Sequence, residues 1–221
     1  MPRRIAFLHT SPVHVETFER LTRTMASDVA IEHVVAEALL VDAQRTGAGD
    51  PALVARVHAA MTNAAANGAA IVVCTCSTIG GAAERTPTDG RFAVARIDRA
   101  MADRAVALGP RVLVVAALES TLAPTAALIR ESAAAMHADV TLESLLVAEA
   151  WAHFTRGDRQ AYIDAVAAAV RGAAAGHSVV VLAQASMAPA QDLLRDLGVE
   201  VLASPALGVE RALAYLQGES T

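Results

Sequence analysis

The chain has few of the residues on which many specialised proteins depend. Only two of its 221 residues are cysteines, and aromatic side chains make up 3% of the chain. A Cys-x-Cys pair without a further cysteine or a nearby histidine cluster is a poor zinc site, and its spacing is unsuited to a structural disulfide. Two unpaired cysteines are typical of the reducing cytoplasm, where we expect this protein to act.

Features that would indicate particular partners are lacking as well. No basic patch is interleaved with aromatic residues, so we expect no nucleic-acid partner. No apolar run is long enough to cross a bilayer, and the first one breaks at His9–Pro12, which predicts a strand rather than a signal peptide. The pair Gly80-Gly81 lacks the further glycines and the lysine of nucleotide-binding loops. We therefore predict no membrane partner and no cofactor, whether a nucleotide or a metal.

What the chain has instead is short apolar runs that alternate with segments of helical periodicity. Such alternation predicts an α/β fold with right-handed crossovers and parallel sheets. The runs that we interpret as strands are Ile5–Leu8, Val29–Val35, Ile71–Cys74, Phe92–Ala95, Val112–Ala117, Asp139–Leu146, Ser178–Ala183 and Glu200–Ala203.

The two halves of the chain repeat the same pattern. Cys76 lies 66 positions after Thr10, and Gln184 lies 65 positions after Glu119. Val94 and Val201 follow at nearly the same offset. The repeat predicts two pseudo-symmetric open parallel-sheet lobes of the flavodoxin-like kind, with a cleft between them. We expect the first lobe to comprise residues 1–97 and 205–221, so that the last helix returns to it, and the second to comprise residues 98–204.

The stretch from Ile71 to Gly81 is the strongest candidate for a site. It begins as a buried strand and changes abruptly to hydroxyls, a thiol and a glycine loop, at the strand end where α/β sheets bind ligands. Cys74 continues the apolar strand and is interpreted as a core residue, whereas the spacing of Cys76 is equally compatible with a buried and a functional thiol. The polar residues that the repeat would bring to the cleft are Thr10, Ser11, Cys76, Ser77 and Thr78 from the first lobe and Ser120, Thr121, Gln184 and Ser186 from the second.

These residues resemble the aspartate/glutamate/hydantoin racemase superfamily. The resemblance rests on Val-Val-Cys-Thr-Cys-Ser-Thr-Ile-Gly-Gly at 72–81, on Leu-Glu-Ser-Thr at 118–121 and on Ser-Pro-Ala-Leu-Gly at 204–208. It extends over nearly the whole chain. The resemblance implies two α/β lobes and a role for Cys76 as a catalytic base or nucleophile.

One position departs from the superfamily pattern. The resemblance implies a second cysteine where this chain has Gln184, and glutamine neither takes nor gives a proton. Two-base racemisation is therefore disfavoured. Arylmalonate decarboxylase, which the resemblance places in the same superfamily, also uses a single cysteine, although in the other lobe. A second proton donor would have to be water or a histidine, or would not exist.

Two ionisable residues are candidates to assist Cys76. His9 could orient or deprotonate the thiol if the strand-end loops converge, and Glu119 could supply a carboxylate from the other lobe. Each also has a structural interpretation, His9 as a hydrogen-bonded strand-end residue and Glu119 as an acid at the start of a helix.

The sequence thus supports a cofactor-independent enzyme that acts at the carbon next to the carboxylate of a small substrate. An isomerase of amino acids or hydroxy acids is the first hypothesis, with hydroxyls holding the carboxylate and Gln184 stabilising an enolate-like oxygen. The alternatives are a single-cysteine decarboxylase or lyase, and a small-carboxylate binding protein without turnover. An assembly of identical chains is compatible with each of them.

Overall fold

The computed structural model describes residues 3–218, in which strands and helices alternate along the chain. The strands are β1 Arg4–His9, β2 Ala30–Val35, β3 Ile71–Cys74, β4 Ala93–Arg96, β5 Arg111–Ala116, β6 Thr141–Leu146, β7 Val179–Leu182 and β8 Glu200–Ala203. The helices are α1 Val13–Met25, α2 Glu37–Thr46, α3 Pro51–Ala64, α4 Ser77–Glu84, α5 Arg99–Leu108, α6 Glu119–Ala135, α7 Ala148–Thr155, α8 Arg159–Ala173, α9 Ala190–Leu193 and α10 Ser204–Gln217.

The strands form two parallel sheets with the same internal order. The first sheet has the order β2-β1-β3-β4 and the second β6-β5-β7-β8. The predicted α/β class with two repeated parallel-sheet lobes is thereby confirmed. The chain divides into two compact units after Asp98 and again after Ser204, and the segment from Pro205 onward belongs to the first unit.

The strand register defines which positions of the two lobes are equivalent. Leu8 pairs with Cys74 in the first sheet, and Val115 pairs with Leu182 in the second. Cys76 and Gln184 each lie two residues beyond the last of these pairs, so they occupy equivalent places. Val94 and Val201 are likewise equivalent, since they pair with Val72 and Val180.

One part of the predicted repeat was shifted by two residues. The register aligns Thr10 with Ala117, not with Glu119. The polar residues after β5 begin later than those after β1, because Ala117 and Leu118 continue the apolar character of that strand. Matching polar residues to polar residues therefore misaligned this pair of strand ends.

The predicted glycine loop is helical, since Gly80 and Gly81 lie inside α4. Glu119 begins α6, in agreement with its interpretation as an acid at the start of a helix, and Ser120 and Thr121 follow in the first turn. Position 80 favours glycine, because a Cβ atom there would lie only 3.0 Å from Nε of Arg96. Gly80 therefore accommodates a guanidinium group rather than providing a flexible backbone.

The scarce aromatic residues of the second unit pack together. Trp151 and Phe154 stack with ring centroids 4.8 Å apart, and Phe154 lies 5.3 Å from the ring of Tyr162. The first two residues belong to α7, a helix that the sequence pattern did not predict. Both residues pack against the core of this unit.

The last helix packs closely within the first unit. A side chain at Gly208 of α10 would collide with the backbone carbonyl of Ile97, directly after β4. Glycine at this position therefore permits the helix to approach the end of that strand. Within residues 3–218, no helix is both long and apolar enough to cross a membrane.

Candidate active site

Cys76 lies where β3 gives way to α4. The strand ends at Cys74, and Cys76 is the N-cap residue of the helix, with φ −102° and ψ 113°. Its side chain is partly buried, while Ser77 and Thr78 in the first helical turn are buried. A helix N-terminus presents unpaired backbone N–H groups and favours negative charge, so this position suits a thiolate or an anionic ligand.

Cys74 is a core residue, as its sequence context predicted. Its side chain is fully buried among residues of α2, α3 and α4. The thiol donates a hydrogen bond to the carbonyl oxygen of Cys76 at 3.6 Å. Burial raises the pKa of Cys74 far above its ordinary value, and the neighbouring Cys76 adds to this. Cys74 is therefore unsuited to act as a base or nucleophile.

A buried ion pair supports the helix that carries Cys76. Arg96 donates to both carboxylate oxygens of Asp98, at 2.7 and 3.0 Å, and to the carbonyl oxygen of Ser77 at 3.4 Å. This pair was not predicted, although an arginine at the end of an apolar run, with an aspartate two residues later, was a usable signal. A bidentate pair in this surrounding fixes the guanidinium and with it the first turn of α4.

His9 is buried at the end of β1 and bonds to residues other than Cys76. Its Nδ1 lies 2.8 Å from Oγ1 of Thr75, and its Nε2 lies 2.8 Å from Nδ1 of His33. Burial lowers the pKa of His9 to about 3, and the charges of His33 and His14 act in the same direction. Both ring nitrogens are occupied, so His9 reaches the Cys76 loop through Thr75.

The remaining first-lobe candidates share one edge of the sheet. Thr10 and Ser11 follow β1, and β1 pairs in parallel with β3, which leads into Cys76. The carboxyl ends of parallel neighbours meet at the same edge, so this edge collects hydroxyls and the thiol. The predicted residues that it brings together are Thr10, Ser11, Cys76, Ser77 and Thr78.

Gln184 is anchored to the backbone of the second lobe. Its Oε1 accepts hydrogen bonds from the backbone N–H groups of Ala117 at 2.7 Å and Leu118 at 3.1 Å. Two donors can be satisfied only by the oxygen of the carboxamide, so the orientation of the amide is fixed. The Nε2 group is then the donor end of the amide, with two protons for acceptors.

The other second-lobe candidates lie at the same edge as Gln184. Glu119 is exposed in the first turn of α6, and Thr121 in that turn is buried. Oγ of Ser120 is buried, and no hydrogen-bond partner for it exists among residues 3–218. Ser186 shares a 2.8 Å hydrogen bond with the hydroxyl of Tyr162, whose pKa is raised to about 12 by burial. Tyr162 was not predicted as a neighbour of the site.

The ionisable residues do not assemble into a metal centre in the part of the chain that the structure describes. In residues 3–218, no group of three or more His, Cys, Asp or Glu side chains has an arrangement that could hold a metal ion. The polar groups that the candidate residues bring to these strand ends are a thiol, hydroxyls, backbone amides, one carboxamide and the carboxylate of Glu119.

Comparison with known proteins gives matches only at the level of structure. No protein-family model matches this chain, and neither does any curated protein sequence. The aspartate racemase of Picrophilus torridus superposes with a TM-score of 0.69 at 11% identity, over 98% of this chain and 94% of that one.

Two further solved structures have the same architecture. The allantoin racemase of Pseudomonas fluorescens gives a TM-score of 0.59 at 20% identity, over 99% of this chain and 93% of that one. An arylmalonate decarboxylase gives 0.59 at 16% identity, over 99% and 94%. Identities this low establish the fold alone. This chain therefore has the α/β fold shared by aspartate racemases, allantoin racemases and arylmalonate decarboxylase, as its resemblance to that superfamily implied.

Proposed function

We propose that this protein is a cofactor-independent enzyme that acts at the carbon next to the carboxylate of a small substrate, with Cys76 as its only acid/base or nucleophilic thiol. The observation that carries the proposal is the difference between the two equivalent strand ends. One ends in a partly exposed thiol at a helix N-terminus, and the other ends in an anchored glutamine.

Hydroxyls and backbone amides would hold the substrate carboxylate. In the first lobe, Ser77 and Thr78 offer the N-terminus of α4, next to the thiol, and Thr10 and Ser11 lie at the same sheet edge. In the second lobe, Ser120, Thr121 and Ser186 offer hydroxyls. Removal of a proton or of carbon dioxide next to a carboxylate leaves an enolate-like oxygen, which such donors stabilise.

Gln184 would assist by donating hydrogen bonds rather than by moving protons. Its oxygen is engaged with Ala117 and Leu118, which leaves the Nε2 protons for an anionic oxygen of the substrate. Because a carboxamide is neither an acid nor a base near neutral pH, Cys76 would have to deliver or remove every proton itself. Isomerisation by one thiol meets this requirement.

A decarboxylase or lyase is the second candidate, and the same glutamine favours it. Loss of carbon dioxide requires a proton to be added at one face only, which one thiol can do. Two-base racemisation would require a second acid or base. Glu119 is the carboxylate nearest in sequence to the second-lobe donors, and it is exposed at the start of α6.

The thiols provide the test. We expect Cys76 in the native protein to be alkylated by iodoacetamide near neutral pH and to be protected by small carboxylates, while Cys74 reacts only after unfolding.

Turnover is tested separately. Solvent deuterium uptake and loss of carbon dioxide would be measured with amino acids, 2-hydroxy acids and 2-substituted malonates. Cys76→Ala should lower turnover by about 10²–10⁴-fold, the usual contribution of an acid/base group.

Cys74→Ala is the matched control, because it removes a thiol from the same segment. It should keep most of the turnover. If carboxylates protect Cys76 but no substrate turns over, the protein is a binding protein. If Cys76→Ala retains full turnover, the thiol is not the acting group and the proposal is wrong.

A further inference from the structure

A chain of hydrogen bonds leads from the Cys76 loop to the surface of the first lobe. It comprises Thr75, His9, His33 and Glu19, and is called the histidine chain below. The distances are 2.8 Å from Thr75 Oγ1 to His9 Nδ1, 2.8 Å from His9 Nε2 to His33 Nδ1, and 3.1 Å from His33 Nε2 to Glu19 Oε2. The exposed fraction rises from 0% at His9 through 14% at the side chain of His33 to 40% at that of Glu19.

Three elements and one connection build the histidine chain. His9 is on β1, His33 on β2 and Glu19 on α1, and Thr75 connects β3 to Cys76. The imidazole rings of His9 and His33 stack at 5.1 Å and lie against Phe7 and Phe18. Other ionisable groups nearby are His14, which interacts with His9, and Arg23, which pairs with Glu19 at 3.0 Å.

Glu19 fixes the position of one proton. Burial alone would raise the pKa of Glu19, but hydrogen bonds from His33 and Arg23 hold it below its usual value. An ionised carboxylate only accepts hydrogen bonds, so His33 must donate through Nε2. The remaining nitrogen of His33, Nδ1, is then either a bare acceptor in the neutral ring or a second donor in the charged ring.

Each state of His33 imposes one arrangement on the rest of the histidine chain. When His33 is neutral, Nε2–H of His9 donates to Nδ1 of His33, and Nδ1 of His9 accepts a hydrogen bond from the hydroxyl of Thr75. With charged His33, His9 accepts at Nε2 and donates through Nδ1 to Thr75. The Thr75 hydroxyl then donates to the carbonyl oxygen of Leu8, which lies 3.2 Å away. His9 carries a single proton in both states.

We propose that His9, His33 and Glu19 are positioning residues for the Cys76 loop, because protonation of His33 at the surface end sets the direction of the Thr75 hydroxyl at the buried end. Histidine is the side chain that ordinarily changes its charge between about pH 5 and 8, which is the range to examine.

The consequence for Cys76 rests on the function proposed above. The backbone N–H of Thr75 already donates to Leu8 O at 3.0 Å, and charged His33 adds the hydroxyl of Thr75 to the same oxygen. The hydrogen bond between His9 and Thr75 is present in both states, so the end of β3 is then held to β1 by three hydrogen bonds instead of two. Cys76, the next residue, is thereby held more firmly at the N-terminus of α4.

The tautomer of His9 is the direct readout, and it does not depend on any activity. In long-range ¹H–¹⁵N spectra of histidine-labelled protein, we expect His9 to change from the Nε2–H to the Nδ1–H form as His33 gains its second proton. Glu19→Gln removes the countercharge and should move both changes to lower pH. Glu16→Gln, the same substitution at an exposed residue one turn earlier, should move neither.

Alkylation of Cys76 tests the link to the thiol. The quantity to compare is the alkylation rate of Cys76 in the wild type divided by the rate in Glu19→Gln. This ratio should be about threefold larger near pH 6 than near pH 8, which is the effect of one ordinary hydrogen bond. The corresponding ratio for Glu16→Gln should be independent of pH. A His9 ring that keeps one tautomer from pH 5 to 8 would overturn the switching arrangement. A ratio for Glu19→Gln that is constant with pH would overturn the role in positioning Cys76.

Discussion

The thiols of Cys74 and Cys76 differ in depth rather than in direction. Both pack on the side of the sheet that α2, α3 and α4 cover. Cys74 still pairs with Leu8 inside the sheet and is fully buried, whereas Cys76 lies past the last pair and begins a helix. Two residues of chain are therefore enough to separate a core thiol from a candidate nucleophile, because the strand ends between them.

His9 should make the stability of the protein depend on pH. Its pKa falls from 6.5 to about 3 on folding, so between these values the unfolded state binds a proton that the folded state does not. Stability is unaffected by His9 above about pH 6.5 and should decline as the pH falls toward 3, by about 1.4 kcal/mol per pH unit in the steepest part.

Urea unfolding at a series of pH values measures this slope. In His9→Asn the group no longer titrates, so its share of the slope should vanish even if the variant is less stable throughout. Equal slopes in the wild type and the variant would mean that His9 does not remain neutral in the folded protein.

Helix α4 is the element on which the candidate site depends, and its glycines have separate explanations. The Arg96 guanidinium is held by Asp98 and by the carbonyl oxygen of Ser77, and it occupies the space beside Gly80. At Gly81 the nearest atom to a built Cβ is Nη1 of Arg85 at 3.5 Å, an ordinary contact. The two positions therefore differ in what they tolerate, although they are adjacent in one helix.

Alanine at these two positions should have opposite effects. Gly80→Ala should destabilise the protein by about 1–3 kcal/mol, because the buried Arg96 is held by hydrogen bonds to Asp98 and Ser77 and cannot move away. Gly81→Ala should be neutral or stabilising by up to about 1 kcal/mol, since alanine favours a helix interior. Denaturant unfolding of both variants measures the difference. Equal effects at the two positions would show that Arg96 does not restrict Gly80.

The same helix shows where sequence reasoning succeeded and where it stopped. The strand before Cys76 was predictable, because Ile71–Cys74 is an apolar run of the length that a strand buried on both faces requires. The helix after it was predicted as a loop, since adjacent glycines usually indicate one. In the structure, Arg96 of β4 bonds to the carbonyl oxygen of Ser77 and lies beside Gly80, and local sequence patterns do not contain such contacts between distant positions.

The candidate residues show the same limit. Cys76, Gln184 and the strand-end hydroxyls were found because position after a strand is a local property. Thr75, His33 and Glu19 were missed, because their connection with His9 depends on the pairing of Phe7 with His33 and on the packing of α1. Tyr162 was missed for the same reason, since it reaches Ser186 from another helix.

At the scale of the whole molecule, the internal repeat lets one lobe serve as a reference for the other. The sheets have the same order, and Cys76 and Gln184 occupy equivalent places after β3 and β7. The same fold therefore carries a thiol at one of these places and a carboxamide at the other. Because a carboxamide neither takes nor gives a proton, the residue at position 184 decides between one-base and two-base chemistry if the function proposed above is right.

Gln184→Cys should therefore create or increase proton exchange with inversion at the carbon next to the substrate carboxylate. The new thiol would lie near the N–H groups of Ala117 and Leu118, which Gln184 Oε1 now occupies and which favour a thiolate. The assay is solvent deuterium uptake with chiral analysis of the product.

Gln184→Ser is the matched control, because it also removes the anchoring oxygen but supplies a hydroxyl, a far weaker acid and base near neutral pH. Equal inversion by the Cys and Ser variants, or inversion by the wild type at ordinary enzymatic rates, would mean that a second base already exists and that the single-thiol mechanism is wrong.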